Sequence, residues 1–259
     1  MPGSSLVTFE VWSDSFKEGE WFVESLLASF SPKKTYRHNF QPVYKLQHPN
    51  KAESMLIEVY GDYGAWTEVP TPVVNLLSIG TPDAILLDPI ANLPILAVEE
   101  TAAVPTGNQA LQRLERVWWA AETRVPFAYL IPEYGLHLDG GLRRNSIWPS
   151  YLALKLSMQY QIPSVTLMYG NEQHPSTYEV GPGMNLLASY ASLLLRMHLH
   201  EATHNQEADL LKLIYLEMAR FIRDHAEEIT SHLPSRNRLN DEAAIELMIH
   251  RIRGHGRRS

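Results

Sequence analysis

No cysteine occurs in the 259 residues, which excludes disulfides and thiolate metal sites. That absence is compatible with a reducing cytoplasm, the compartment expected for the chain. No apolar run approaches the ~20 residues needed to cross a bilayer; the one near residues 193–195 is interrupted by Arg196. Met1-Pro-Gly-Ser-Ser5 lacks a basic region followed by an apolar stretch, so no signal peptide is expected. A serine nucleophile elbow is missing, because Gly-x-Ser-x-Gly does not occur. Gly135-Leu-His-Leu-Asp-Gly-Gly141 lacks the Lys-Ser/Thr pair of a phosphate loop. Positive charge is also short. A net charge of −7 argues against a protein that coats nucleic acid non-specifically, although carboxylates at a metal site would add to that count.

What is present describes an ordinary globular chain, 45% apolar and 20% charged, long enough for one large domain or a core with a helical extension. Apolar residues at Trp21, Phe22, Leu26, Leu27 and Phe30 give a helical spacing over 16–30. Strand-like segments follow at 35–46, 54–60, 83–88 and 94–101, the first two separated from the others by a loop from 61 to 72. A helix over 107–123, a strand over 126–131, a helix over 149–160 and a strand over 163–169 complete the series. From Met184 the pattern is helical almost throughout, broken near Pro234. The expected fold class is therefore α/β, with residues 1–170 as core and 171–259 as a helical extension ending in a basic, disordered tail. Basic clusters at Lys33-Lys34 with Arg37, at Arg143-Arg144, at Arg236 with Arg238, and at 251–258 are candidates for phosphate contact or simply a solvated surface. Tyr60, Tyr63 and Trp66 could stack on bases or pack over a core edge.

Two acidic elements carry the chemistry. Pro82-Asp83 opens one apolar strand, and Glu99-Glu100-Thr101 closes the next. Acids at the ends of neighbouring strands are costly unless solvated or bound to something positive, and a divalent cation is the obvious candidate. Strand alternation puts Glu99 and Thr101 on one face and Glu100 on the other. The following helix bears a polar stripe of Gln109, Gln112, Arg113 and Arg116.

The order helix, meander, helix, strand, with acids at these places, resembles the PD-(D/E)XK nuclease family. The resemblance implies a restriction-endonuclease-like core, a mixed central sheet flanked by helices, over roughly residues 16–170. It implies a Mg²⁺-dependent endonuclease, Mn²⁺ substituting, that hydrolyses phosphodiester bonds in DNA in a restriction or defence setting. The protein would be cytoplasmic, act as a homodimer or larger complex, and have no membrane partner. Asp83 and Glu99 would hold the metal, with Glu24 of the first helix as a further ligand and Gln112 and Arg113 beside them. Thr101 stands where the family has lysine, so the lysine's charge must come from elsewhere, with Arg113 and Lys155 as candidates. A register shifted by one makes Glu100 the ligand and Ala102 the third member.

A rival signal is His200-Glu201-Ala-Thr-His204, an H-E-x-x-H string in a region of helical pattern. On a helix such a string places two histidines one turn apart around zinc, with the glutamate as general base. His198 is a further ligand candidate, and Glu217, Glu227 or Glu228 a third. Two alternatives thus stand beside the nuclease: a zinc metallopeptidase, and a non-catalytic protein that keeps a nuclease fold.

Overall fold

Alternation of Phe9 and Val11 with Glu10 makes a strand of Val7–Ser13 (β1), the first element of the computed structural model. The structure describes residues 7–48, 54–101, 113–136, 140–230 and 249, and only the backbone course of 226–230. The chain divides into two compact units, residues 1–99 and 100–259. The break expected at 170/171 lies inside the second of them.

In the first unit, β1 leads into α1 (Phe16–Trp21), which continues as single irregular turns to Phe30. Ser15 caps α1 by accepting the backbone N–H of Glu18 at 3.3 Å, the Ser-x-x-Glu arrangement of a capping box. Phe22, Val23, Leu26, Leu27 and Phe30 are fully buried along this segment. Each contributes about 1.5–3 kcal/mol relative to exposure. Next come β2 (Lys33–Tyr36), β3 (Pro42–Gln47), β4 (Ser54–Gly61) and a short helix α2 (Thr71–Leu77). β5 (Ala84–Asp88) and β6 (Leu93–Glu100) complete the unit.

The strand order is β6-β5-β1-β4-β3-β2, with β1 and β4 parallel and every other neighbouring pair antiparallel. The sheet is mixed, as expected. The meander differs from the one read in the sequence, because β1 inserts between β4 and β5. The expected strand 35–46 is in fact a hairpin, and part of the expected loop 61–72 begins α2. Glycine lets α1 approach the sheet: a Cβ on Gly19 would lie 2.4 Å from Val59 and 2.6 Å from Ser13.

The second unit contains α3 (Leu114–Glu122), β7 (Phe127–Pro132), β8 (Tyr134–Leu136), β9 (Leu142–Arg144), α4 (Trp148–Tyr160) and β10 (Ser164–Tyr169). β7 and β10 pair in parallel, and β8 and β9 form a separate hairpin. Both β7 and β10 are almost wholly buried, as strands covered by helices must be. α5 (Gly183–His198) and α6 (His204–Thr230) pack against β10 rather than extending away from it. The chain is α/β, and among its described residues no helix is long and apolar enough to cross a membrane.

Candidate functional site

Asp14, Asp83 and Glu99 lie on one rung across three adjacent strands. Ser13 pairs with Ala84 and Ala84 with Val98, so the next rung is Asp14, Asp83, Glu99. The backbone continues that ladder, with Asp14 N–H donating to the Asp83 carbonyl at 3.1 Å. Residues directly opposite in antiparallel strands project to one face. Burial differs sharply along the rung: Asp14 is exposed, Asp83 half-buried and Glu99 0% exposed.

Tyr63, on the turn after β4, sits among these acids. Its hydroxyl faces two carbonyl oxygens, Pro82 at 2.8 Å and Trp12 at 3.2 Å. Burial pushes the phenol well above its ordinary pKa, and the charges of Asp83, Asp14, Glu18 and Glu99 push it further. Tyr63 therefore stays a neutral donor amid four carboxylates. Asp14 and Glu18 were not among the residues expected from sequence, and Tyr63 was expected only to stack on bases or to pack over a core edge. The Ser15-x-x-Glu18 capping signature was the available sign that an acid begins the first helix.

Glu24 belongs to another group. Tyr44 donates to its carboxylate at 2.5 Å, and Lys34 lies 3.8 Å from it while bridging Glu20 at 2.5 Å. The first-helix acid whose charge reaches Tyr63 with those of Asp83 and Glu99 is Glu18, earlier in the chain than Glu24.

In the second unit, buried Thr101 donates its N–H to Leu130 at 3.1 Å and accepts the Tyr169 hydroxyl at its carbonyl, 2.9 Å. Glu100 accepts a hydrogen bond from Tyr178, whose ring stacks on Tyr169 at 4.5 Å. The Arg113 guanidinium donates to the Glu100 carbonyl at 2.7 Å. Burial raises the Tyr169 pKa first, and Tyr178 and Glu100 add to the shift. Gln112 and Gln109, like the basic clusters at Arg236, Arg238 and 251–258, lie outside the described residues. Arg144 is committed to Glu133 at 2.8 Å and covers the rings of Tyr134 and Phe221. Lys155 lies over the Tyr151 ring. Tyr60 stacks on Trp12 at 4.4 Å with Trp66 edge-on to both, so these aromatics pack against one another.

The H-E-x-x-H string requires correction: it is not helical. α5 ends at His198, and His200 takes the left-handed conformation at φ 57°. Its N–H binds the Met197 carbonyl at 3.0 Å, and the Glu201 N–H reaches back to Arg196 at 2.8 Å. That pair of bonds is a Schellman cap. Thr203 then caps α6, exchanging bonds with Gln206 of 2.9 Å and 3.4 Å in a second capping box. A helix end and a helix start separate the two histidines, so the one-turn spacing that zinc needs is lost. Glu217, a suggested third ligand, bridges Arg220 at 2.8 Å, and the side chains of Glu227 and Glu228 lie outside the described residues.

Among the described residues no group of three His, Asp or Glu side chains converges to hold a metal ion. Sharing a rung is not the same as forming a coordination sphere. Two carboxylates in register nonetheless suit Mg²⁺, which prefers oxygen ligands, keeps several waters and binds through one or two carboxylates. No protein-family model, no curated protein and no solved structure matches the chain.

Proposed function

We propose that this protein is a Mg²⁺-dependent nuclease hydrolysing phosphodiester bonds, with its centre on the Asp14–Asp83–Glu99 rung. The observation carrying the reading is the burial of Glu99 on a rung with two further acids at adjacent strand ends. Carboxylates brought onto one rung raise the local negative field, and a divalent cation placed there relieves their mutual repulsion. Asp83 and Glu99 would hold Mg²⁺ or Mn²⁺, and Asp14 and Glu18 would add negative field around it. When bound, such a cation neutralises charge on the phosphate and favours attack by water. Tyr63 holds the ends of β1 and β5 together through Trp12 and Pro82, fixing the spacing of the acids. A part in restriction or defence, with DNA as substrate, follows from the family resemblance.

Incubation with supercoiled plasmid, with single-stranded DNA and with RNA, in Mg²⁺ and in Mn²⁺, tests the reading. Cleavage should occur, stop with EDTA, and disappear in Asp83→Ala and Glu99→Ala. Intact substrates with both metals, or undiminished cleavage by either variant, would overturn it.

A further inference from the structure

The turn between β2 and β3 is a three-residue loop, His38-Asn39-Phe40, closed by two bonds of 3.0 Å. Arg37 N–H donates to the Gln41 carbonyl, and Phe40 N–H to the Arg37 carbonyl. Loops of this form put their third residue in the left-handed region, where glycine or asparagine fits without strain. Here that residue is Phe40, at φ 60° and 83% exposed. A bulky side chain in this conformation is an outlier, and such outliers cluster at functional sites. The ring gains nothing from burial to offset the strain. Tyr36, on the edge strand leading into the turn, is 60% exposed.

Three cations stand on the edge strand and its turn. Lys33 is exposed; Lys34 lies 5.3 Å from the Tyr36 ring centroid while bridging Glu20; Arg37 pairs with Glu58 yet stays half exposed. Exposed rings interleaved with cations suit a strand that offers both flat bases and phosphates. A protein partner would more often meet a contiguous apolar patch. Position agrees as well: Val43 pairs with Glu58, Glu58 with Glu10, and Ser13 with both Gly61 and Ala84. The turn therefore lies at the same end of the sheet as the acid rung. Four strand spacings separate β2 from β5, about 19 Å at ~4.8 Å each.

We propose that this hairpin is a stacking arm for single-stranded nucleic acid. Unpaired bases stack on Phe40 and Tyr36 while the cations of this edge, Lys33, Lys34 and Arg37, meet the backbone phosphates. The inference names the polymer for the centre described above, and in that respect it rests on the nuclease reading.

Fluorescence anisotropy with labelled oligothymidylate and oligouridylate, using the full chain in EDTA, tests it without cleavage. Saturable binding that weakens with salt is expected; the two probes distinguish a DNA from an RNA strand. Phe40→Gly should weaken binding at least about five-fold while raising the melting temperature, and Phe40→Trp should retain affinity. The proposal is overturned if neither oligonucleotide binds, if Phe40→Gly binds like the parent, or if duplex is preferred. It is equally overturned if Phe40→Gly melts lower, since the ring would then belong to the fold, or if that variant loses a dimer, since the arm would then pair copies of the chain. Because metal is absent, binding without cleavage elsewhere sinks only the nuclease, and cleavage without an effect of Phe40 sinks only the arm.

Discussion

Asp14 donates its backbone N–H to the carbonyl of Asp83, and this one bond carries the β1–β5 ladder past Ser13 and Ala84 to the acids. The same register, continued across β5 and β6, brings in Glu99. Three carboxylates from distant parts of the chain are thus aligned by backbone pairing, before any side chain chooses a rotamer. The hydroxyl of Tyr63 secures the alignment by meeting Pro82, the residue before Asp83.

The two first-helix acids should separate cleanly by mutation. Glu18→Gln should slow cleavage by removing negative charge from around the proposed centre, with Ser15 still capping α1 through the backbone. Glu24→Gln should leave cleavage alone and cost about 1 kcal/mol by weakening its bonds from Tyr44 and Lys34. Denaturant titration and plasmid digestion on both variants decide it. Slowed cleavage in Glu24→Gln alone would return Glu24 to the site.

Thr101→Val keeps the side-chain shape and removes the hydroxyl. The backbone bonds to Leu130 and Tyr169 do not depend on that hydroxyl, so the variant should keep the fold. Slower cleavage is expected if that hydroxyl takes part in the proposed reaction. Unchanged single-turnover rates would show the hydroxyl to be a bystander.

How much was legible follows from which signals are local. The apolar runs of β5, β6, β7 and β10 stand out in the sequence because strands buried on both faces need no alternation. Their terminal acids Asp83 and Glu99 stand out with them. The partner of β5 was hidden, since pairing with β1 rather than β4 is a long-range choice made by packing. Asp14 was hidden with it. The β2–β3 turn was missed for a different reason: its left-handed position holds Phe40, so the glycine that announces such a turn is absent. At 199–203 a cap written as His200 in place of glycine looks like a metal motif. The Thr203-x-x-Gln206 box just after it was the sign that a new helix starts there.

Glu10 predicts a pH dependence. Burial raises its pKa, the Trp12 indole N–H at 2.7 Å pulls it back, and Glu58 opposite raises it again. The fold therefore favours the protonated acid. Stability from Glu10 is fully present below the ordinary carboxylate pKa and is lost as pH rises through the elevated folded value. Glu10→Gln should accordingly raise the melting temperature at pH 7 and leave it unchanged near pH 4. Equal shifts at both pH values would mean that packing, not charge, accounts for the effect.

His200 gives the sharpest test of the discarded zinc motif. As the left-handed residue of a Schellman cap, it bears a strain that glycine would relieve, since a left-handed conformation costs a side-chain-bearing residue roughly 1–2 kcal/mol. His200→Gly should therefore stabilise the protein by about 1 kcal/mol, reduced somewhat by glycine's greater freedom in the unfolded chain. Thr203→Ala should do the reverse and cost about 1 kcal/mol, because it removes the hydroxyl that caps α6. A zinc ligand would behave otherwise: its removal would lower both stability and metal content together. Chemical denaturation and elemental analysis of purified His200→Gly therefore answer one question in two ways. A more stable variant with unchanged zinc content identifies a helix cap, whereas loss of stoichiometric zinc with loss of stability would restore His200 as a ligand.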